Sequence, residues 1–239
     1  MTRQLLLLHG FTHTGASWEP IVAALGERYR ALAPDLRGHG TASDADPVTL
    51  EAVIDDLVRL APPRYGLVGY SMGGRVALHL ALADPGRVER LVLIGSSPGI
   101  ANEREREQRR ADDEGLAEEI ERMGIEEFAL RWAQAPVLAG LSEDAAARAH
   151  SDRLRNKPSG LARALRELGT GALPSLWDRL GELEMPVTLV AGERDTKFRQ
   201  IAEEMALAIS EAEVIVLSGA GHAVHLEAPE RVAEMIASV

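Results

Sequence analysis

The sequence contains no cysteine. Disulfides, thiolate zinc sites, iron–sulfur clusters and a cysteine nucleophile are therefore excluded. It also lacks an apolar run of membrane-spanning length. The longest, Leu5-Leu6-Leu7-Leu8, is the size of a buried strand. Met1-Thr2-Arg3-Gln4 ahead of it is too short for a signal peptide, so the expected location is the cytoplasm. Positive charge is in deficit: 26 Lys and Arg against 37 Asp and Glu leave a formal net charge of −11. A field of that sign disfavours nucleic acid and repels small polyanions at long range. An anionic substrate would need a local cluster of arginines. No G-x-G-x-x-G follows a strand, no G-K-[ST] closes a phosphate loop and no H-E-x-x-H is present. His222 and His225 lack a third ligand motif, which argues against a metal site.

What remains is a chain of 239 residues, 46% hydrophobic and 26% charged, the size and composition of one soluble α/β domain. Short apolar runs recur at Leu5–Leu8, Ala31–Ala33, Tyr65–Val68, Leu91–Ile94, Val187–Ala191 and Val214–Leu217, each ending in a turn. Segments with helical spacing lie between them, such as Leu50, Val53, Ile54, Leu57 and Val58. Continuous apolar strands alternating with amphipathic helices predict a doubly wound, mostly parallel sheet. The alternation stops between about Pro98 and Met185. There the pattern is helical throughout, beginning with a densely charged stretch from Asn102 to Arg122 that predicts an exposed, ion-paired helix. This reads as a helical cap of residues 98–185 inserted into a core made of residues 1–97 and 186–239.

The chemistry concentrates after the strands. Gly69-Tyr70-Ser71-Met72-Gly73 follows an apolar run and precedes a helical pattern, the context in which G-x-S-x-G forms a nucleophile elbow. A serine hydroxyl is inert at neutral pH without a base. His222, straight after the last strand, is the candidate, and His225 is a decoy that would support the loop or line the pocket. Asp195, after Val187–Ala191, is the candidate to orient the imidazole. Glu193 competes with it, its ordinary role being a surface salt bridge with Arg194. The order Ser71, Asp195, His222 is the order this architecture requires. Backbone N–H groups of Met72 and Phe11 are the expected oxyanion donors.

Together, His9-Gly10-Phe11, Asp35-Leu36-Arg37-Gly38-His39-Gly40, Gly69 to Arg75, Gly192-Glu193-Arg194-Asp195 and Gly221-His222 resemble the α/β-hydrolase superfamily. Ser97-Pro98-Gly99-Ile100, the Arg-rich stretch ending in Asp113, and Thr196-Lys197-Phe198 narrow the resemblance. They point to the pyruvate-eliminating lyases of menaquinone biosynthesis within that superfamily. The resemblance implies an enzyme without metal or organic cofactor, acting on a small-molecule polycarboxylate. It implies that Ser71, made basic by His222 and Asp195, removes a ring proton and that an enolpyruvyl group leaves as pyruvate. It implies that Arg75, Arg109 and Arg155 bind carboxylates, with Tyr70, Trp132, Lys197 and Phe198 around the substrate. The competing readings are a serine esterase or carbon–carbon bond hydrolase of the same fold, and a non-catalytic ligand-binding protein.

Overall fold

The computed structural model describes residues 2–238. Six strands form one sheet: β1 (Arg3–Leu8), β2 (Tyr29–Leu32), β3 (Tyr65–Tyr70), β4 (Val88–Ile94), β5 (Val187–Gly192) and β6 (Ala212–Leu217). Their order is β2-β1-β3-β4-β5-β6 and every pairing is parallel. The sheet is thus wholly parallel rather than mostly so. The chain winds outward in both directions from the β1–β3 pair. The crevice outside the carboxyl ends of the strands at such a reversal is where ligands bind in open α/β sheets.

The continuous apolar reading of the strands has a direct cause: both faces are covered. Leu6, Leu8, Leu67, Leu91, Leu93 and Leu189 point to one side, against α2 (Leu50–Leu60), α3 (Met72–Ala83) and α8 (Thr196–Ala208). Leu5, Leu7, Val68, Val92, Ile94 and Val190 point to the other, against α1 (Glu19–Leu25) and α9 (Pro229–Ser238). A fully buried aliphatic side chain contributes about 1.5–3 kcal/mol, so these two layers dominate the stability of the sheet.

Between β4 and β5 lie α4 (Glu103–Arg122), α5 (Ile125–Trp132), α6 (Glu143–Arg153) and α7 (Pro158–Leu168). Asn102 caps α4, its side-chain oxygen accepting from Glu105 N–H at 3.1 Å. The charged helix is not exposed all round, as its composition predicts. Asp113, Ala117 and Ile120, one turn apart, are buried against α7, where Ala117 and Ile120 form a small core of their own with Phe128, Leu161 and Leu165. Arg166 of α7 reaches across to Glu114 at 2.9 Å and Glu121 at 2.8 Å, tying the two helices together. Among the described residues, no helix is long and apolar enough to cross a membrane.

Candidate active site

The elbow is built by glycines that nothing larger could replace. A Cβ on Gly73 would lie 2.3 Å from the Leu8 carbonyl oxygen, and one on Gly74 would lie 1.8 Å from Ser96 Oγ. The helix therefore starts in contact with the strands, and Ser71 is forced into the turn between them with φ 51°. A non-glycine residue in that region is strained by about 1–3 kcal/mol, which the surrounding structure must hold in place. The Ser71 N–H donates to Ile94 C=O at 2.9 Å, fixing the elbow to β4. Met72 is the first residue of α3, so its N–H has no acceptor within the helix.

Asp195 caps α8, one carboxylate oxygen accepting from Phe198 N–H at 3.3 Å. The other accepts from His222 Nδ1–H at 2.6 Å. An ionised carboxylate is acceptor only, so this bond sets the tautomer and leaves Nε2 to accept from Ser71 Oγ–H, 3.3 Å away. The arrangement can take a proton from the Ser71 hydroxyl and hold the resulting imidazolium. The His222 loop is braced separately: Gly221 N–H donates to the Glu227 carboxylate at 2.9 Å, and Arg194 pairs with Glu227 at 2.6 Å. Glu193 therefore does not pair with Arg194. It accepts from Gly219 N–H at 2.9 Å instead.

A cavity of about 500 Å³ opens over Ser71 and His222. Phe11 and Met72 lie on its wall beside the serine; Lys197 and Phe198 enter from α8. The inserted helices supply Arg109, Asp113 and Trp132, so the cavity lies between the sheet and the insertion. Arg75 reaches it from the first turn of α3. Its guanidinium is buried, and Nε has no partner among the described residues. Burial, and then repulsion from Arg109, pull its pKa down to about 10. Arg109 Nε donates to Asp113 at 2.7 Å, a pair one helical turn apart on α4. Asp113 is buried and is the feature of this wall that sequence reading passed over. Its signal was the i,i+4 spacing from Arg109.

Two expected residues lie elsewhere. The Arg155 side chain is 61% exposed and faces a separate surface groove bounded by Thr14, Asp35 and Thr41. The buried arginine of that segment is Arg153, 1% exposed, with Nε and Nη2 unpartnered among the described residues. Arg153 is the last residue of α6, whereas Arg155 lies beyond the helix end, in the turn that follows. Tyr70 does not line the cavity. Its ring lies behind the triad, with centroids 5.4 Å from His222 and 4.0 Å from His225. His225 is fully buried there and is kept neutral, burial lowering its pKa well below the usual value.

The comparisons with known proteins agree with this geometry. Residues 5–235 match the alpha/beta hydrolase family. A Bacillus subtilis (strain 168) protein, provisionally named 2-succinyl-6-hydroxy-2,4-cyclohexadiene-1-carboxylate synthase, is 38% identical over 237 residues, covering 94% of this chain and 85% of that one. The synthase of the same name from Salmonella paratyphi C (strain RKS4594) is 35% identical over 98% of this chain and 92% of its own. The solved structure of MenH from S. aureus superimposes with a TM-score of 0.94 at 33% identity, over 100% of this chain and 93% of that one. The chain belongs to the alpha/beta hydrolase family, and within it to the group that contains these synthases.

Proposed function

We propose that the protein is a lyase that forms 2-succinyl-6-hydroxy-2,4-cyclohexadiene-1-carboxylate in menaquinone biosynthesis by eliminating pyruvate from the 5-enolpyruvyl precursor. The relatives carry that name, and the resemblance supplies the reaction. The observation that carries the reading is Arg75. A buried guanidinium with an unpartnered Nε, one turn from the Ser71 hydroxyl, suits a substrate that brings its own carboxylate. Phe11 and Met72 N–H groups would hold negative charge developing on a substrate oxygen. Ser71 would take the ring proton and pass its own to His222, which Asp195 orients. The electrons released form the ring double bond as the carbon–oxygen bond to the enolpyruvyl group breaks, and the leaving enolate takes up a proton to become pyruvate. Residues 98–185 act as the cap that brings Arg109 and Trp132 over this chemistry, with Lys197 and Phe198 at its margin. Arg153, rather than Arg155, is the further candidate for a carboxylate from α6. The enzyme works in the cytoplasm on a small polycarboxylate.

The test supplies the precursor and follows pyruvate, alongside hydrolysis of a neutral short-chain ester. Wild type should release pyruvate. Arg75→Ala should lower that turnover by about ten- to a hundredfold, the value of a charge-assisted hydrogen bond, and change ester hydrolysis much less. Strong ester hydrolysis with no pyruvate would identify an esterase instead. Equal losses on both substrates would make Arg75 a support of the elbow.

A further inference from the structure

The loop that carries Phe11 is not held in shape by itself. His13 N–H donates to Gly10 C=O at 3.1 Å, closing a four-residue turn whose third residue, Thr12, has φ 69°. That position in such a turn ordinarily falls to glycine, because a side chain there is strained. Thr12 is buried, and its hydroxyl has no partner among the described residues, so its own side chain supplies no compensation. Something else must hold the turn, since strained residues persist only where the surroundings over-determine them.

The holding groups come from the end of α6, some 140 residues away in sequence. Asn156 Nδ2 donates to Thr12 C=O at 2.9 Å, while its Oδ1 accepts from Gly40 N–H at 2.9 Å. The buried Asp152 carboxylate accepts from His13 Nδ1–H at 3.0 Å, from Thr14 N–H at 3.0 Å and from the Thr14 hydroxyl. Every residue from Thr12 to Thr14 is thus gripped by one turn of the insertion. Burial works to raise the Asp152 pKa, but the bonds from His13 and Thr14 outweigh it and keep the carboxylate below its usual range. Between these two residues stands the buried Arg153.

We propose that Asp152 and Asn156 are positioning residues that hold the strained Gly10–His13 turn, and so fix the Phe11 N–H in the cavity toward the oxygen on which charge develops. Neither touches the substrate. The proposal rests on the oxyanion role given above to Phe11. It makes the insertion part of the catalytic scaffold and not only its cover. A donor preorganised for the transition state contributes chiefly to the rate. Loosening it therefore acts on kcat.

The experiment measures kcat and KM for pyruvate release in Asn156→Ala, Asn156→Asp and Asp152→Asn. It also measures the rate at which a neutral organophosphonate ester labels Ser71, since its phosphoryl oxygen uses the same donors. Asn156→Asp keeps the acceptor for Gly40 and loses the Nδ2 donor, which serves Thr12 C=O and, locally, Arg153 C=O at 3.1 Å, so it serves if the alanine variant does not fold. Expected are falls of about ten- to a hundredfold in kcat and in labelling rate, with KM within about threefold. Adding Thr12→Gly to Asn156→Asp should restore most of the loss, because glycine adopts positive φ without strain. A rise in KM at unchanged kcat, an unchanged labelling rate, or no rescue by Thr12→Gly would overturn the proposal. Labelling does not need the native substrate, so an absence of pyruvate release in wild type would sink the synthase reading and leave this test intact.

Discussion

Among the described residues there are two histidine–aspartate pairs, and they differ in almost everything but composition. In His222–Asp195 the Nδ1 to carboxylate distance is 2.6 Å, and Nε2 faces Ser71 at the wall of the cavity. In His13–Asp152 it is 3.0 Å; both partners are buried, and the carboxylate is engaged by Thr14 as well. The first pair joins two loops at adjacent strand ends and leaves a nitrogen free to move a proton. The second joins the sheet domain to the insertion, one carboxylate holding His13 and both the N–H and the hydroxyl of Thr14. The same two residue types stand in different surroundings: one pair faces Ser71 and the cavity, the other ties two distant parts of the chain together.

Breaking the first pair gives the largest expected effect. Asp195→Asn, His222→Ala and Ser71→Ala should each lower turnover by about a thousandfold or more, with urea midpoints near wild type. Double variants should be little worse than singles, because the three act as one unit. Near-wild-type turnover in purified Ser71→Ala would break the assignment.

The second contrast is read through acid. Burial chiefly lowers the pKa of His13, and pulls His9 down to about 4 and His39 to about 3, from an ordinary value of 6.5. These rings stay neutral in the fold and take up protons when the chain unfolds below that value. Their contribution is complete above about pH 6.5 and is lost as pH falls toward 4 and then 3. Asp152 adds to the loss on the acid side, because its folded pKa is also depressed. A tenfold difference in proton affinity between the folded and unfolded chain corresponds to about 1.4 kcal/mol for each group. Urea midpoints should therefore fall steadily between pH 7 and pH 4.5, and a flat profile would contradict the burial of these rings as neutral groups.

The smallest effect concerns motion. Hydrogen exchange should show the α6 end, around Arg153 to Asn156, protected almost as well as the strands. Exchange should be faster in α5 and the following segment, where Leu130 and Val137 are exposed. Uniform exchange across the insertion would remove the distinction between its anchored and its mobile parts.

Sequence reading anticipated the elements that obey local rules. Each strand announced itself as a short apolar run, and the elbow was legible because its glycines are required within five residues of one another. Arg75 came from the resemblance, and its place one helical turn after Ser71 is consistent with it. The insertion was harder. Its helices were visible, but the end of α6 at Arg153 was not, so the resemblance pointed to the exposed Arg155 beyond the helix and the buried Arg153 was passed over. Asp152 and Asn156 gave no sequence signal at all, because their partners Thr12, His13 and Gly40 lie more than a hundred residues away. The resemblance put Tyr70 around the substrate, but the last residue of β3 sets its ring against His222 and His225 instead.

Arg75 carries a consequence for how this chain can change over time. A cation kept from water with an idle nitrogen is a liability to the empty protein, since a desolvated charge favours any state in which it is rehydrated. A leucine or methionine at that place would suit the resting fold better. On the proposed function an anionic substrate would relieve that cost. A descendant of this chain that had no such ligand would gain by losing Arg75 first, while keeping the elbow intact. Whether that position holds a cation or a hydrocarbon is a record, written in one residue, of what the cavity has been required to receive.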